Sequence, residues 1–169
     1  MNRHVMAYAV AAAVFLGEQI SKWIVLGPLD LRTVGLIELL PIFDLRYTEN
    51  HGISLGLLPA TSDTMRWLLV LGTSIIAIIV AWWITRERNR GDQVALGMVL
   101  GGALGNILDR VRHGYVVDFA DLHFGSIRPF FIFNVADAAI SIGVVILLLR
   151  AFVAWLAERN EVKESEENA

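Results

Sequence analysis

Two stretches of the chain, "VMAYAVAAAVFLGEQISKWIV" at 5–25 and "MRWLLVLGTSIIAIIVAWWI" at 65–84, read as near-complete membrane spans. Each holds about 20 residues, which at a rise of about 1.5 Å per residue crosses a hydrocarbon core of roughly 30 Å. Two further stretches, 94–108 and 135–157, are as oily but carry polar groups. Backbone polar groups cannot be left unpaired in lipid, so apolar segments of this length cross as helices. The composition fits: 56% of the 169 residues are hydrophobic and 18% charged, against about 25% charged in soluble domains. The expectation is an all-α membrane protein and a single membrane domain over 1–169. Its four transmembrane helices fall near 5–26, 65–85, 93–110 and 134–157.

The loops and ends supply orientation. Arg3 and His4 before an apolar run resemble a secretory signal peptide, but no small-x-small pattern precedes Glu18, so the segment reads as an uncleaved first helix. The short second loop, "TRERNRG", holds Arg86, Arg88 and Arg90. Short arginine-rich loops stay in the cytoplasm, which puts both termini there and the other end of the bundle at the outer leaflet. Trp23, Trp67, Trp82, Trp83 and Trp155 fall near helix ends, where indoles favour the interface. The tail at 158–169 is acidic and reads as a solvated, frayed end, and no basic patch suited to nucleic acid is visible. The outer loop at 27–64 is too long for a plain connector. Its "IELLPIFDLRY" alternates partly and carries aromatic residues, so a small β-containing platform on the outer membrane surface is expected from this loop.

Gly97, Gly101 and Gly105 recur every four residues on the third helix, a ridge that lets another backbone come close. That helix is expected to be the central packing element. The polar residues of the spans then segregate. With helices alternating up and down, Glu18, Lys22, Asn106, Asp109, Arg110, Asn134 and Asp137 lie toward one membrane face, and Asn50 and Asp118 occupy loops on that side. Glu18 precedes Lys22 by four residues, the favourable order for a helical ion pair. A structural pair formed by Asp109 and Arg110 locks the third helix to the outer loops, and Asn134 can serve as an N-cap or as a site residue.

Asp118 and Asp137 are different. Asp118 stands between apolar residues in "GYVVDFAD", and Asp137 has no cation at helical spacing, since Arg150 lies thirteen positions on and can snorkel to the opposite interface. If these carboxylates meet, they share one proton and offer a base and an acid together. A water between them could then hydrolyse an amide without metal or covalent intermediate. Other chemistries fare worse. Cysteine is absent, His4, His51, His113 and His123 show no metal-ligand spacing, and Ser21, Ser54 and Ser141 have no recognisable base nearby.

The motifs "EQISK" at 18–22, "NHGISLG" at 50–56, "GGALGNILDR" at 101–110, "GYVVDF" at 114–119 and "FNVADAAI" at 133–140 resemble those of lipoprotein signal peptidases, the type II signal peptidases of bacteria. The resemblance implies an intramembrane aspartyl protease that cuts diacylglyceryl-modified prolipoproteins before the lipidated cysteine, at the outer leaflet of the inner membrane. It implies Asp118 and Asp137 as catalytic dyad, with Asn50, Gly52, Asn106, Arg110 and Asn134 shaping the site and Glu18, Lys22 and Asp109 supporting it. It also implies no cofactor, a lipid-modified prolipoprotein and membrane phospholipid as partners, and globomycin-type peptides as inhibitors. The usual pattern has Asp where Glu18 stands, an aromatic where Leu55 stands and a hydroxyl where Gly56 stands, departures that point to a reshaped fit over the dyad. Two other functions fit parts of the sequence: a peptidase-like scaffold that binds lipoproteins without cutting them, and a small proton-coupled transporter, since membrane carboxylates often serve as relays.

Overall fold

The computed structural model describes residues 4–52 and 62–167, with side chains described to residue 161. Leu55 and Gly56, two of the departures noted above, lie outside the described residues. The elements run α1 (Val5–Leu26), α2 (Leu31–Val34), β1 (Leu36–Leu40), β2 (Phe43–Asn50), α3 (Asp63–Ile84), α4 (Arg90–His113), β3 (Val116–Leu122) and α5 (Val135–Glu167). Among the described residues, the long helices α1, α3, α4 and α5 are the four with the length and hydropathy to cross a membrane. Their outward faces carry Leu16, Ile20, Ile78, Leu148 and Val153, all more than half exposed. Such surface suits lipid as the surrounding solvent.

The bundle is organised around α4, the most buried span. Its glycine ridge explains why. A Cβ on Gly97 or Gly101 would collide with the carbonyl oxygens of Ala7 and Ala11 on α1. A Cβ on Gly102 would sit 2.6 Å from Ala136 O on α5, and Gly143 returns the favour with a Cβ 2.7 Å from Ala95 O. Three backbones thus meet at the distance that only glycine permits. Ala7, Ala11, Ala77, Val80, Ile84, Leu96, Val99 and Leu100 form an apolar core where α1 and α3 pack on α4. Local signals set the helix ends. Asn89 Oδ1 accepts from Gly91 N–H at 2.8 Å at the start of α4, and Gly114, at φ 88°, ends it in a left-handed turn.

The platform is a three-stranded antiparallel sheet in the order β1-β2-β3. Its first two strands come from the outer loop, as the alternation implied. Its third strand comes from the loop after α4, not from the outer loop, and Asp118 is a strand residue opposite Thr48. The sequence shows no strand pattern there because β3 is buried along nearly its whole length, which erases the alternation that marks a half-exposed strand. Beyond β3, Phe133 pairs with its free edge: Ala120 N–H donates to Phe133 O at 2.7 Å and Phe133 N–H to Ala120 O at 3.1 Å. A second apolar core of Val25, Leu31, Leu45, Phe119 and Ala120 seats the sheet on the end of α1 and on α2, a helical turn with no counterpart in the sequence reading. The acidic tail, expected to fray, continues α5 to Glu167. Arg150 does not reach for an interface alone; its Nε donates to Asp92 Oδ1 at 2.5 Å and ties α5 to the start of α4.

Candidate active site

The end of the bundle beneath the sheet gathers the polar residues of the spans into one network. Asp118 reaches it from β3 and is 1% exposed. Asn50 Nδ2, at the end of β2, donates to its Oδ2 at 3.0 Å, and Asn134 Nδ2 to its Oδ1 at 2.7 Å. Asn134 is brought there because Phe133 pairs with β3 just before α5 begins. Its Oδ1 meanwhile accepts the N–H of Asp137 at 2.8 Å. One side chain therefore caps α5 and hydrogen-bonds Asp118. Asp137 rises from the first turn of α5, and Asn106 Nδ2 on α4 donates to its Oδ1 at 2.8 Å. Asn134 Nδ2 donates to Asn106 Oδ1 at 3.3 Å, so a chain of two amides runs from one carboxylate to the other.

Arg110 completes the near wall. Its Nη2 donates to Gly52 O at 2.8 Å, Gly52 N–H donates to Asn50 Oδ1 at 3.1 Å, and its charge acts on both Asp137 and Asp118. Burial, and second the Asp137 charge, push the Asp118 carboxyl up to about 7, against the opposing donors Asn50 and Asn134. Water cannot solvate the ionised form there, and a second carboxylate makes it worse.

Glu18, Lys22 and Asp109 lie behind this centre, all buried. Lys22 pairs with Glu18 and donates to Asp109 Oδ2 at 2.5 Å. The ion pair expected from spacing is formed, and it extends to a second helix. Asp109 and Arg110 do not bond to each other; each locks α4 to a different loop, Asp109 Oδ2 by accepting Val117 N–H at 3.0 Å and Arg110 through Gly52. Adjacent positions on a helix point about 100° apart, which separates their partners.

Several groups at this end carry no signal in the sequence. Arg66 on α3 donates to Arg110 O at 2.8 Å and Val111 O at 2.9 Å, tying off the last turn of α4. On the opposite face of β2 from Asn50, Tyr47 donates to Glu49 Oε1 at 2.9 Å, Arg32 Nη2 to the same oxygen at 3.2 Å, and the Tyr47 and Tyr115 hydroxyls are 3.2 Å apart. The Tyr47 hydrogen bond holds Glu49 below the usual carboxylate range, while burial and the Tyr115 and Glu49 contacts raise Tyr47. The pairing of β2 with β3 brings Tyr115 to Tyr47, and α2 brings Arg32 to Glu49.

A four-helix bundle with carboxylates and amides buried at one end, beneath a small sheet, defines a multi-pass membrane protein with a buried polar site. Two bacterial membrane enzymes solved by the in meso method share the fold. One superposes with a TM-score of 0.74 at 29% identity over 86% of this chain and 87% of its own. The other gives 0.72 at 30% identity over 86% and 91%. Sequence narrows the class further: residues 10–153 match the family described as signal peptidase (SPase) II. The lipoprotein signal peptidase of Rhizorhabdus wittichii is 59% identical over 148 residues, 88% of this chain and 86% of that protein. That of Sphingopyxis alaskensis is 58% identical over 143 residues, 85% and 83%. The chain belongs to the signal peptidase II family, and with its four apolar helices it is a multi-pass protease of the inner membrane. That membership leaves no place for the transporter reading.

Proposed function

We propose that this chain is an intramembrane aspartyl endopeptidase that removes signal peptides from diacylglyceryl-modified prolipoproteins, cutting before the lipidated cysteine. The observation that carries the reading is the convergence of Asp118, from a strand, and Asp137, from a helix start, on one chain of amides at the end of the bundle. In the reaction, Asp137 takes a proton from water as the water oxygen bonds to the scissile carbonyl carbon. Asp118, which keeps its proton to about 7, donates it to the carbonyl oxygen. As the resulting diol collapses the C–N bond breaks, Asp137 gives its proton to the amide nitrogen, which leaves as the amine of the cysteine, a diol hydroxyl returns its proton to Asp118, and the signal peptide departs as a carboxylic acid. Asn106, Asn134 and Asn50 hold the carboxyl groups in place, and Arg110 keeps the Asn50–Gly52 turn against them.

An acylated substrate is already confined to the bilayer, so phospholipid surrounds the site entrance and no soluble cleft is needed. Globomycin-type peptides compete for the same end of the bundle. The arginine loop at 86–90 sets the site toward the outer leaflet with both termini in the cytoplasm. The decisive experiment is cleavage of a purified lipidated precursor by wild type, Asp118→Asn and Asp137→Asn. Wild type converts it and neither variant does, although both insert and bind it. Turnover by either variant overturns the dyad, and failure of the wild type to convert the bound precursor favours a non-cleaving scaffold.

A further inference from the structure

Glu18, Lys22 and Asp109 touch neither proposed catalytic carboxylate directly, yet their contacts are placed with respect to both. Glu18 Oε2 accepts the backbone N–H of Ala136 at 3.1 Å, across 118 residues of sequence. Asp109 Oδ2 accepts the backbone N–H of Val117 at 3.0 Å. Ala136 immediately precedes Asp137, and Val117 immediately precedes Asp118. Lys22 sits between the two acceptors, paired with Glu18 and donating to Asp109 at 2.5 Å. We propose that Glu18, Lys22 and Asp109 form a clamp whose two carboxylates grip the backbone one residue before each member of the dyad, setting the separation of Asp137 and Asp118. The three are positioning residues, and their assignment rests on the peptidase reading given above.

The surroundings make the clamp stiff. Glu18 is fully buried, and Gly105 leaves it room: a Cβ there would lie 3.0 Å from Glu18 Cγ. The N–H groups at the first turn of a helix have no partner within the helix, so the Ala136 donor binds an anion well. Val117 N–H is likewise a buried donor that needs an acceptor. Lys22 lies between the two carboxylates and donates to both sides of the clamp, so the three side chains hold one another in place. Charged side chains facing the dyad from the packed elements are thus Glu18 and Lys22 from α1, and Asp109 and Arg110 from α4.

The experiment separates hydrogen-bond acceptance from charge. Glu18→Gln and Asp109→Asn remove the charge but keep a carbonyl oxygen for the backbone N–H; Glu18→Ala and Asp109→Ala remove both. All four are purified as full chains, and kcat, KM and melting temperature are measured on a lipidated precursor beside Asp118→Asn. A misplacement near 1 Å at a reacting group costs about 100-fold in rate. The expected result is a kcat loss of that order in both alanine variants, largely recovered in the amide variants, with KM alike within each Ala and amide pair and the kcat loss unchanged at assay temperatures well below every variant's melting temperature. Equal kcat in the alanine and amide variants overturns the clamp, as does a kcat difference that merely follows melting temperature. If Asp118→Asn itself cleaves, the proposed dyad fails instead, which the same experiment distinguishes.

Discussion

Asp118 is held at about 7 by burial and by Asp137, and its fate in the unfolded chain is an ordinary carboxyl near 3.8. The folded state therefore binds the extra proton between those values. Stability associated with it is complete below pH 4 and is lost as pH rises through 7, by up to about 4 kcal/mol. Asp118→Asn removes this dependence. Melting curves in detergent should show the variant gaining on wild type from pH 4 to pH 8; parallel curves would contradict the assigned burial. Activity should follow the same proton. Cleavage of a lipidated precursor is expected to fall as pH rises through about 7, because ionised Asp118 can no longer donate. A rate still rising at pH 9 would count against Asp118 as the acid. The prominence of Asp118 and Asp137 was legible from residue type alone, because an acid amid apolar residues needs a reason. Their amide partners were legible as candidates but not as bonds.

At the scale of elements, α4 decides the packing. Gly101→Ala pushes a methyl onto Ala11 O and should destabilise the bundle by about 1–3 kcal/mol, as overpacking does. Gly72→Ala on α3 meets nothing within 4 Å and should be neutral or stabilising by about 0.5–1 kcal/mol. Thermal unfolding of the two variants side by side tests the ridge, and equal losses would deny it. In the sheet, buried Asp121 accepts from Arg46 Nε at 3.1 Å and from Arg128 Nε at 3.1 Å and 3.2 Å. The two arginines are partly exposed and can resolvate, so Asp121→Ala should cost only about 1–2 kcal/mol. Here the sequence was half legible. The glycine period of four announced close helix contact, and the alternation near residues 37–47 announced strand. The strand at 116–122 was hidden because both its faces are covered, and α2 is too short to show a period.

For the whole molecule, topology is testable because the natural chain has no cysteine. A single cysteine at Arg88, exposed in the arginine loop, should react with an impermeant maleimide only after the inner membrane is opened. One at Glu38, exposed on β1, should react from the periplasmic side in intact spheroplasts. The reverse pattern would invert the molecule. Hydropathy and helical period sufficed to establish four spans, their alternation and the sorting of polar groups to one membrane face, since those follow from the solvent and from repeats of a few residues. The edge pairing of Phe133 with β3, the reach of Glu18 to Ala136 and the amide bridge between Asp118 and Asp137 were decided by tertiary structure alone. Each joins residues far apart in sequence, and hydrogen bonds of fixed length form there only once the packed helices and the paired strands have set the distance.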